Sequence, residues 1–280
     1  MLKIKFIITL WIAKLIAFAV NIIDKNRGTN YSGKIAVRLM PDFIAHFRGT
    51  DLDRTVMITG TNGKSTTTNL IAHSLKTAGL HVASNVEGAN MMGGVATTLI
   101  KNSSLGGRFN KDCLVLEIDE RSLPAIYKLL PARHIGITNL QKDQAQRNGD
   151  PDFIYRKLAS AIGKDSCLYL NNEEPRSKGL ASCVDRCVSY SVAPNSKSFE
   201  KHDFYDVSLP CPICGRAIKY SLFNLESIGF FSCPHCGHRS EENPDVQISG
   251  VSFENSCFEF EGKTYTVNYS NPFYFYNSAM

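Results

Sequence analysis

The stretch Gly60-Thr61-Asn62-Gly63-Lys64-Ser65-Thr66 carries the clearest chemistry in this chain: two glycines, a lysine and a row of hydroxyls. Glycines let backbone N–H groups close around a phosphate, and a following helix adds its positive N-terminal end. Lys64 can reach the β and γ phosphates of a nucleotide, and the Ser65 hydroxyl can ligate Mg²⁺. The usual phosphate-loop pattern is incomplete, because Ile58 stands at the first glycine position. The flanks supply the missing weight: residues 55–59 read as a β-branched strand and 66–78 as a helix, the context such a loop requires.

Cys211-Pro212-Ile213-Cys214 and Cys233-Pro234-His235-Cys236, with 18 residues between the pairs, form the second chemical constellation. That spacing is the one expected of a structural Zn²⁺ site, in which four thiolates close the tetrahedron and leave no position open for catalysis. Residues 217–223 and 228–232 read as a small hairpin between the pairs, so the insert is a zinc ribbon; His235 and His238 are bystanders. Arg216, Lys219 and Arg239 are balanced by Glu226, Glu241 and Glu242, which leaves no basic stripe for nucleic acid. Cys183 and Cys187, outside the insert, read as buried thiols.

A third group lies where the apolar run 113–118 ends, in Glu117, Asp119 and Glu120. A carboxylate at the end of such a strand can bind Mg²⁺ directly or through water.

These residues need a scaffold. Strand patterns at 55–59, 81–84, 113–118, 134–138, 167–170 and 188–192 alternate with helical ones at 66–78, 97–101, 123–130 and 153–162. Near-continuous apolar strands between helices imply an α/β fold with a mostly parallel sheet covered on both faces, whose ligands sit at the carboxyl ends of the strands. Residues 246–253, 257–260 and 264–269 alternate apolar and polar side chains as short antiparallel strands do. The chain is thus expected to comprise a helical segment and linker (1–50), a nucleotide-binding domain (51–200 and 245–280) and the ribbon insertion (205–243). Residues 27–33, rich in Gly, Ser and Asn, read as linker.

Composition sets wide bounds. With 280 residues, 43% apolar and 20% charged, a sizeable core can be buried, and a net charge of +5 suits anionic ligands or an anionic membrane surface without implying nucleic acid. Nine cysteines, two pairs of them in metal spacing, point to a metal in a reducing, cytoplasmic setting rather than to disulfides. Residues 1–23 are apolar and basic, with Lys14 interrupting any spanning or signal segment. Two readings stay open for them: a helix packed on its own domain, or one lying on the inner face of the membrane with lysines at its edge.

The phosphate loop resembles that of the Mur ligases, ATP-dependent amide-forming enzymes of cell-wall synthesis with folylpolyglutamate synthase relatives. The resemblance extends through Asn85-Val86-Glu87-Gly88-Ala89-Asn90-Met91 and Leu170-Asn171-Asn172-Glu173-Glu174-Pro175 to the closing segment 271–280. It implies that Gly60 to Thr66 and Asn277 contact ATP, that Lys64 and Glu117 serve catalysis, and that Ser65 and Glu117 hold Mg²⁺. It also implies that Asn85, Gly88, Ala89 and Asn90 form a loop facing the peptide substrate. Gln144, after Asp143, stands where most of the family carries a histidine, and Lys157 aligns with a lysine that many relatives carbamylate. Tyr274 replaces the first asparagine of the closing pattern.

The four-cysteine ribbon is similar to one branch of the family, which amidates the D-glutamate α-carboxylate of lipid II with ammonia from a GatD-type glutaminase partner. In that branch a C-terminal ligase domain follows, and the present sequence is expected to be inactive without it. Two alternatives remain: another Mur-type ligase that adds an amino acid or a glutamate tail, and a non-catalytic module binding nucleotide and zinc.

Overall fold

The structure, a computed structural model, describes residues 2–23, 30–85, 89–141, 150–201, 209–267 and 271–280. The chain divides into two compact units, Met1–Thr59 with Thr68–Ile135, and Gly60–Thr67 with Gly136–Met280.

The first unit contains α1 (Leu2–Ile23), α2 (Tyr31–Leu39), β1 (Thr55–Thr59), the greater part of α3 (Lys64–Thr77), β2 (Val82–Ser84), α4 (Met92–Lys101), β3 (Cys113–Glu117) and α5 (Leu123–Leu129). β1 and β2 both pair parallel with β3. Every β3 residue is buried, which is why its sequence is a continuous apolar run rather than an alternation. The strand and helix positions agree with the sequence reading to within a few residues, except that α4 begins at Met92, inside the Gly/Met-rich stretch.

Helix α2 corrects the linker reading, since Tyr31, Ser32 and Gly33 are helical. Gly33 is there for close approach: a Cβ on it would stand 1.9 Å from Gly93 O, and its N–H donates to Thr97 Oγ1 at 3.0 Å. A glycine that packs one helix on another is indistinguishable, residue by residue, from a linker glycine.

Helix α1 packs on its own unit through Phe6, Thr9, Leu10 and Ala13, all buried. Phe6 joins Phe43 and Phe47 in an aromatic cluster with centroids 5.1–5.3 Å apart. Lys14 explains its own presence in an apolar helix: Nζ donates to Ile100 O at 2.6 Å and Ser103 O at 2.7 Å, where α4 ends. A cation suits the carbonyl end of a helix, although burial lowers the Lys14 pKa. Among the described residues no helix is long and apolar enough to cross a membrane.

The second unit contains the phosphate loop, the end of β4 (His134–Ile137), α6 (Pro151–Ala161), β5 (Cys167–Asn171), α7 (Pro175–Gly179), β6 (Arg186–Val192), the hairpin β7 (Lys219–Leu225) and β8 (Ile228–Ser232), then β9 (Val246–Ser252), β10 (Cys257–Phe260), β11 (Lys263–Thr266) and α8 (Pro272–Ala279). β5 and β6 are parallel; β10 is antiparallel to β9 and to β11. β9 corrects the wholly antiparallel reading of this region, because it pairs parallel with β6. Alternation reports that one strand face is buried and says nothing about direction. Phe275, Tyr276 and Ala279 of α8 share a core with Tyr190, Val192 and Ile248. Cys187 differs from the buried thiol expected: it is exposed, and Cys183 is half-buried.

The turn after β5 is a buried polar joint. Glu174 accepts from Arg176 N and Ser177 N, capping α7, and from Leu140 N at 3.0 Å. Glu173 is fully buried, accepting from the Ser191 hydroxyl and from Val192 N. Burial pushes its pKa up to about 7 against these hydrogen bonds and those to Tyr276 and Asn224.

Candidate functional site

In the second unit the phosphate loop leads directly into α3, which starts at Lys64. The first-turn N–H groups of Lys64, Ser65 and Thr66 therefore have no acceptor within the helix, the arrangement that receives a phosphate. Gly63 sits at φ +88°, and a Cβ there would lie 2.2 Å from Asn277 Oδ1. The loop is thus pressed against α8, and Asn277 joins the residues expected to contact nucleotide. Lys64 folds back, Nζ donating to Gly60 O and to Thr61 O, the latter at 3.0 Å. Ser65 is exposed, while Thr67 Oγ1 is buried without a partner among the described residues.

Residues after β4 hold the loop in shape. Thr61 N donates to Asn139 O at 2.7 Å, and Asn62 N donates to Asn139 Oδ1 at 3.1 Å. Gln141 Oε1 accepts from Asn62 Nδ2 at 3.2 Å, and its Nε2 donates to Ser227 Oγ, in the β7–β8 turn, at 3.1 Å. Sequence reasoning gave Asn139 and Gln141 no role in the site, although their place at the carboxyl end of a strand was a signal. Ser227 carries no sequence signal at all. Asp143 and Gln144 lie outside the described residues. Lys157, on α6, has its Nζ 5.8 Å from the centre of the Phe153 ring.

In the first unit Glu117 ends β3 and is 3% exposed. Asn85 clamps its backbone, Oδ1 accepting from Glu117 N and Nδ2 donating to Glu117 O, both at 2.8 Å. Asn90 Nδ2 donates to Glu117 Oε1 at 3.2 Å, whereas Oε2 is buried with no partner among the described residues. A buried carboxylate oxygen left unpaired is costly unless a cation or proton completes it, so the donor set fits a metal ligand. Ala89 is buried and its carbonyl accepts from Asn85 Nδ2 at 2.9 Å; Gly88 lies outside the described residues. Asp119 Oδ1 accepts from Arg121 N and Ser122 N instead, and Glu120 is buried.

The four ribbon cysteines are brought together, their Sγ atoms all within 4.8 Å of one another. Two matching turns present them: Cys211 N donates to Arg216 O and Cys233 N to His238 O, both at 2.7 Å. The N–H groups of Cys236 and His235 hold the Cys233 thiol below the ordinary range, whereas burial pushes the Cys211 thiol up. His238 is occupied elsewhere, paired with Pro175 O at 2.8 Å, and burial lowers its pKa. Cys211 and Cys233 also form a small core with Ile218 and Phe231.

Over 271 residues the chain is 32% identical to the lipid II isoglutaminyl synthase (glutamine-hydrolyzing) subunit MurT of Staphylococcus aureus, covering 95% of this chain and 60% of that protein. The corresponding Streptococcus pneumoniae subunit is 28% identical over 260 residues, 90% of this chain and 56% of that protein. The chain therefore spans about three fifths of the length of these relatives. A pseudomurein peptide ligase type C from Methanothermus fervidus has the same fold, with TM-score 0.64 and 23% identity over 85% of this chain and 47% of that one. MurF from Acinetobacter baumannii matches at TM-score 0.55 and 12% identity, over 88% and 45% of the two chains. The Mur ligase middle domain matches residues 58–218, from the end of β1 through the phosphate loop and Glu117 to the first cysteine pair, and the chain belongs to that family.

Proposed function

We propose that this chain is the ATP-binding part of a ligase that amidates the D-glutamate α-carboxylate of lipid II to D-isoglutamine in peptidoglycan synthesis. The observation that carries the reading is the 32% identity to the Staphylococcus aureus MurT subunit over 95% of this chain. A carboxylate is a poor electrophile, so its oxygen first attacks the γ-phosphorus of ATP and ADP leaves. Ammonia then attacks the acyl-phosphate carbon, and inorganic phosphate departs as the amide forms.

In this reading Gly60 to Thr66 cradle the phosphates and Lys64 neutralises the charge on the transferred phosphoryl group. On the loop Ser65 is a Mg²⁺ ligand; on β3 Glu117 is assigned the same role, supported by its Oε2, which is unpaired among the described residues. Asn277, pressed against Gly63, completes the nucleotide contacts, and Asn85, Ala89 and Asn90 belong to the loop that meets the peptide. The ribbon holds Zn²⁺: Cys211–Cys236 and Cys214–Cys233 Sγ separations of 3.6 Å are close to the edge of about 3.8 Å that a tetrahedron with 2.3 Å Zn–S bonds demands. Ammonia comes from a GatD-type glutaminase partner, and the chemistry is cytoplasmic.

The test uses the full protein with its glutaminase, lipid II, ATP, Mg²⁺ and glutamine. The Lys64→Ala variant should lose at least about a hundredfold in isoglutamine formation. Unchanged turnover would overturn the proposal. Preference for an amino acid over ammonia would reassign the chain to another Mur-type ligase.

A further inference from the structure

Helix α1 is apolar nearly all round, yet only one face is used by its own unit. Phe6, Leu10 and Ala13 are buried, while Ile4, Ile8, Ile12, Leu15, Phe18 and Ile22 are 39–71% exposed. At 100° per residue these six fall within one third of the helix circumference, a stripe about 27 Å long at 1.5 Å per residue. No charge lies on it. Trp11, on the same face and half exposed, donates its Nε1 proton to Leu105 O at 3.0 Å, and Lys14 has turned its ammonium to the end of α4. The polar atoms bordering the stripe are therefore satisfied internally, leaving hydrocarbon outward.

Cations predominate among the exposed charges on and around this helix, although Asp24 follows its last residue in sequence. Lys3, Lys5, Lys34, Arg38, Arg48, Lys101 and Arg108 are exposed on α1, α2, α4 and the turns beside them. Residues 2–23 and 89–110 contain no Asp or Glu, and Asp42, the one acid in 30–50, is paired with His46 at 2.9 Å. A continuous apolar stripe rimmed by cations is complementary to an anionic phospholipid surface, where acyl chains receive the side chains and headgroups meet the lysines. We propose that α1 lies in the plane of an anionic bilayer, its buried face on α2 and α4 and its Ile4–Ile22 stripe in the lipid. This assignment is independent of the ligase reading.

Trp11 is the single tryptophan of the chain, so its emission reports on this face alone. The full chain is titrated with vesicles of phosphatidylglycerol and phosphatidylcholine, and with phosphatidylcholine alone. The expected result is a blue shift and quenching by brominated acyl chains, about tenfold stronger partitioning into the anionic vesicles, and weakening by salt. Leu15→Ser with Phe18→Ser should reduce partitioning at least about tenfold while helix content and nucleotide affinity stay unchanged. Absence of quenching at any lipid concentration overturns the proposal. So does a lipid-independent dimer that the same double variant dissolves, which would assign the stripe to a second copy of the chain. Nucleotide affinity measured on the same samples separates this failure from failure of the ligase reading.

Discussion

Gln141 and Ser227, 86 positions apart in sequence, are joined by a 3.1 Å hydrogen bond, and the same Gln141 side chain accepts from Asn62 in the phosphate loop. The turn of the cysteine ribbon is thereby tied to the proposed nucleotide site. A second route runs from Asn224 of β7, whose Nδ2 donates to the Tyr276 hydroxyl at 3.1 Å, to the neighbouring Asn277 against Gly63.

Ser227→Ala removes the first tie without touching the loop itself. A single neutral hydrogen bond is worth about 0.5–1.5 kcal/mol, so ATP affinity should weaken by roughly three- to tenfold, with Gln141→Ala at least as severe. Calorimetric titration with ATP and Mg²⁺ measures both.

Stripping the metal from the ribbon should loosen both ties at once. Exhaustive chelation, or Cys211→Ser with Cys214→Ser, should lower the thermal midpoint and weaken ATP binding by more than Ser227→Ala does. Metal analysis of the untreated protein should return one zinc per chain. Unchanged ATP affinity in the metal-free protein would leave the ribbon a stability element only.

Gly63→Ala combines two penalties, a left-handed backbone and a Cβ at 2.2 Å from Asn277 Oδ1. ATP binding should be lost. Adding Asn277→Gly clears the clash and leaves the backbone cost of about 1–2 kcal/mol, so the double variant should fold better than the single one. Thermal melts of the two proteins make the comparison.

Glu117→Gln keeps the shape of the β3 end and removes the charge a cation needs. The Mg²⁺ requirement for nucleotide binding should rise about tenfold or more, against roughly threefold for Asn90→Ala, which loses one hydrogen bond to the same carboxylate. Titration of Mg²⁺ at fixed ATP reads the difference.

Glu173 gives the protein a pH signature. Its pKa is raised from 4.5 to about 7, so the folded state holds a proton that the unfolded chain gives up earlier. The corresponding stability is fully present below pH 4.5, is lost between 4.5 and about 7, and is absent above. Glu173→Gln, neutral throughout, should match wild type at pH 4 and exceed it at pH 8 by up to about 3 kcal/mol. Denaturant melts across that range check the sign.

The sequence laid out most of the scaffold. Strand–helix alternation placed β1 to β6 and α3 to α6 between them, though not the short α7, because parallel strands buried on both faces are written as short apolar runs. It misread α2 because Gly33 serves a helix crossing, and it missed the direction of β9 because pairing direction leaves no mark in residue order.

What the sequence determined by itself is chemistry held in contiguous residues: the loop from Gly60 to Thr66, the two cysteine pairs, and the acid at the end of β3. Each is written in one or two short runs of residue types, so composition and spacing suffice to locate it. Tertiary structure alone decided that Asn277 closes on Gly63, that Gln141 reaches the ribbon turn, that one Glu117 oxygen stays unpaired and that one face of α1 stays bare. Those are relations between distant segments, fixed only when packing brings them within hydrogen-bond or van der Waals range and decides which groups water can still reach.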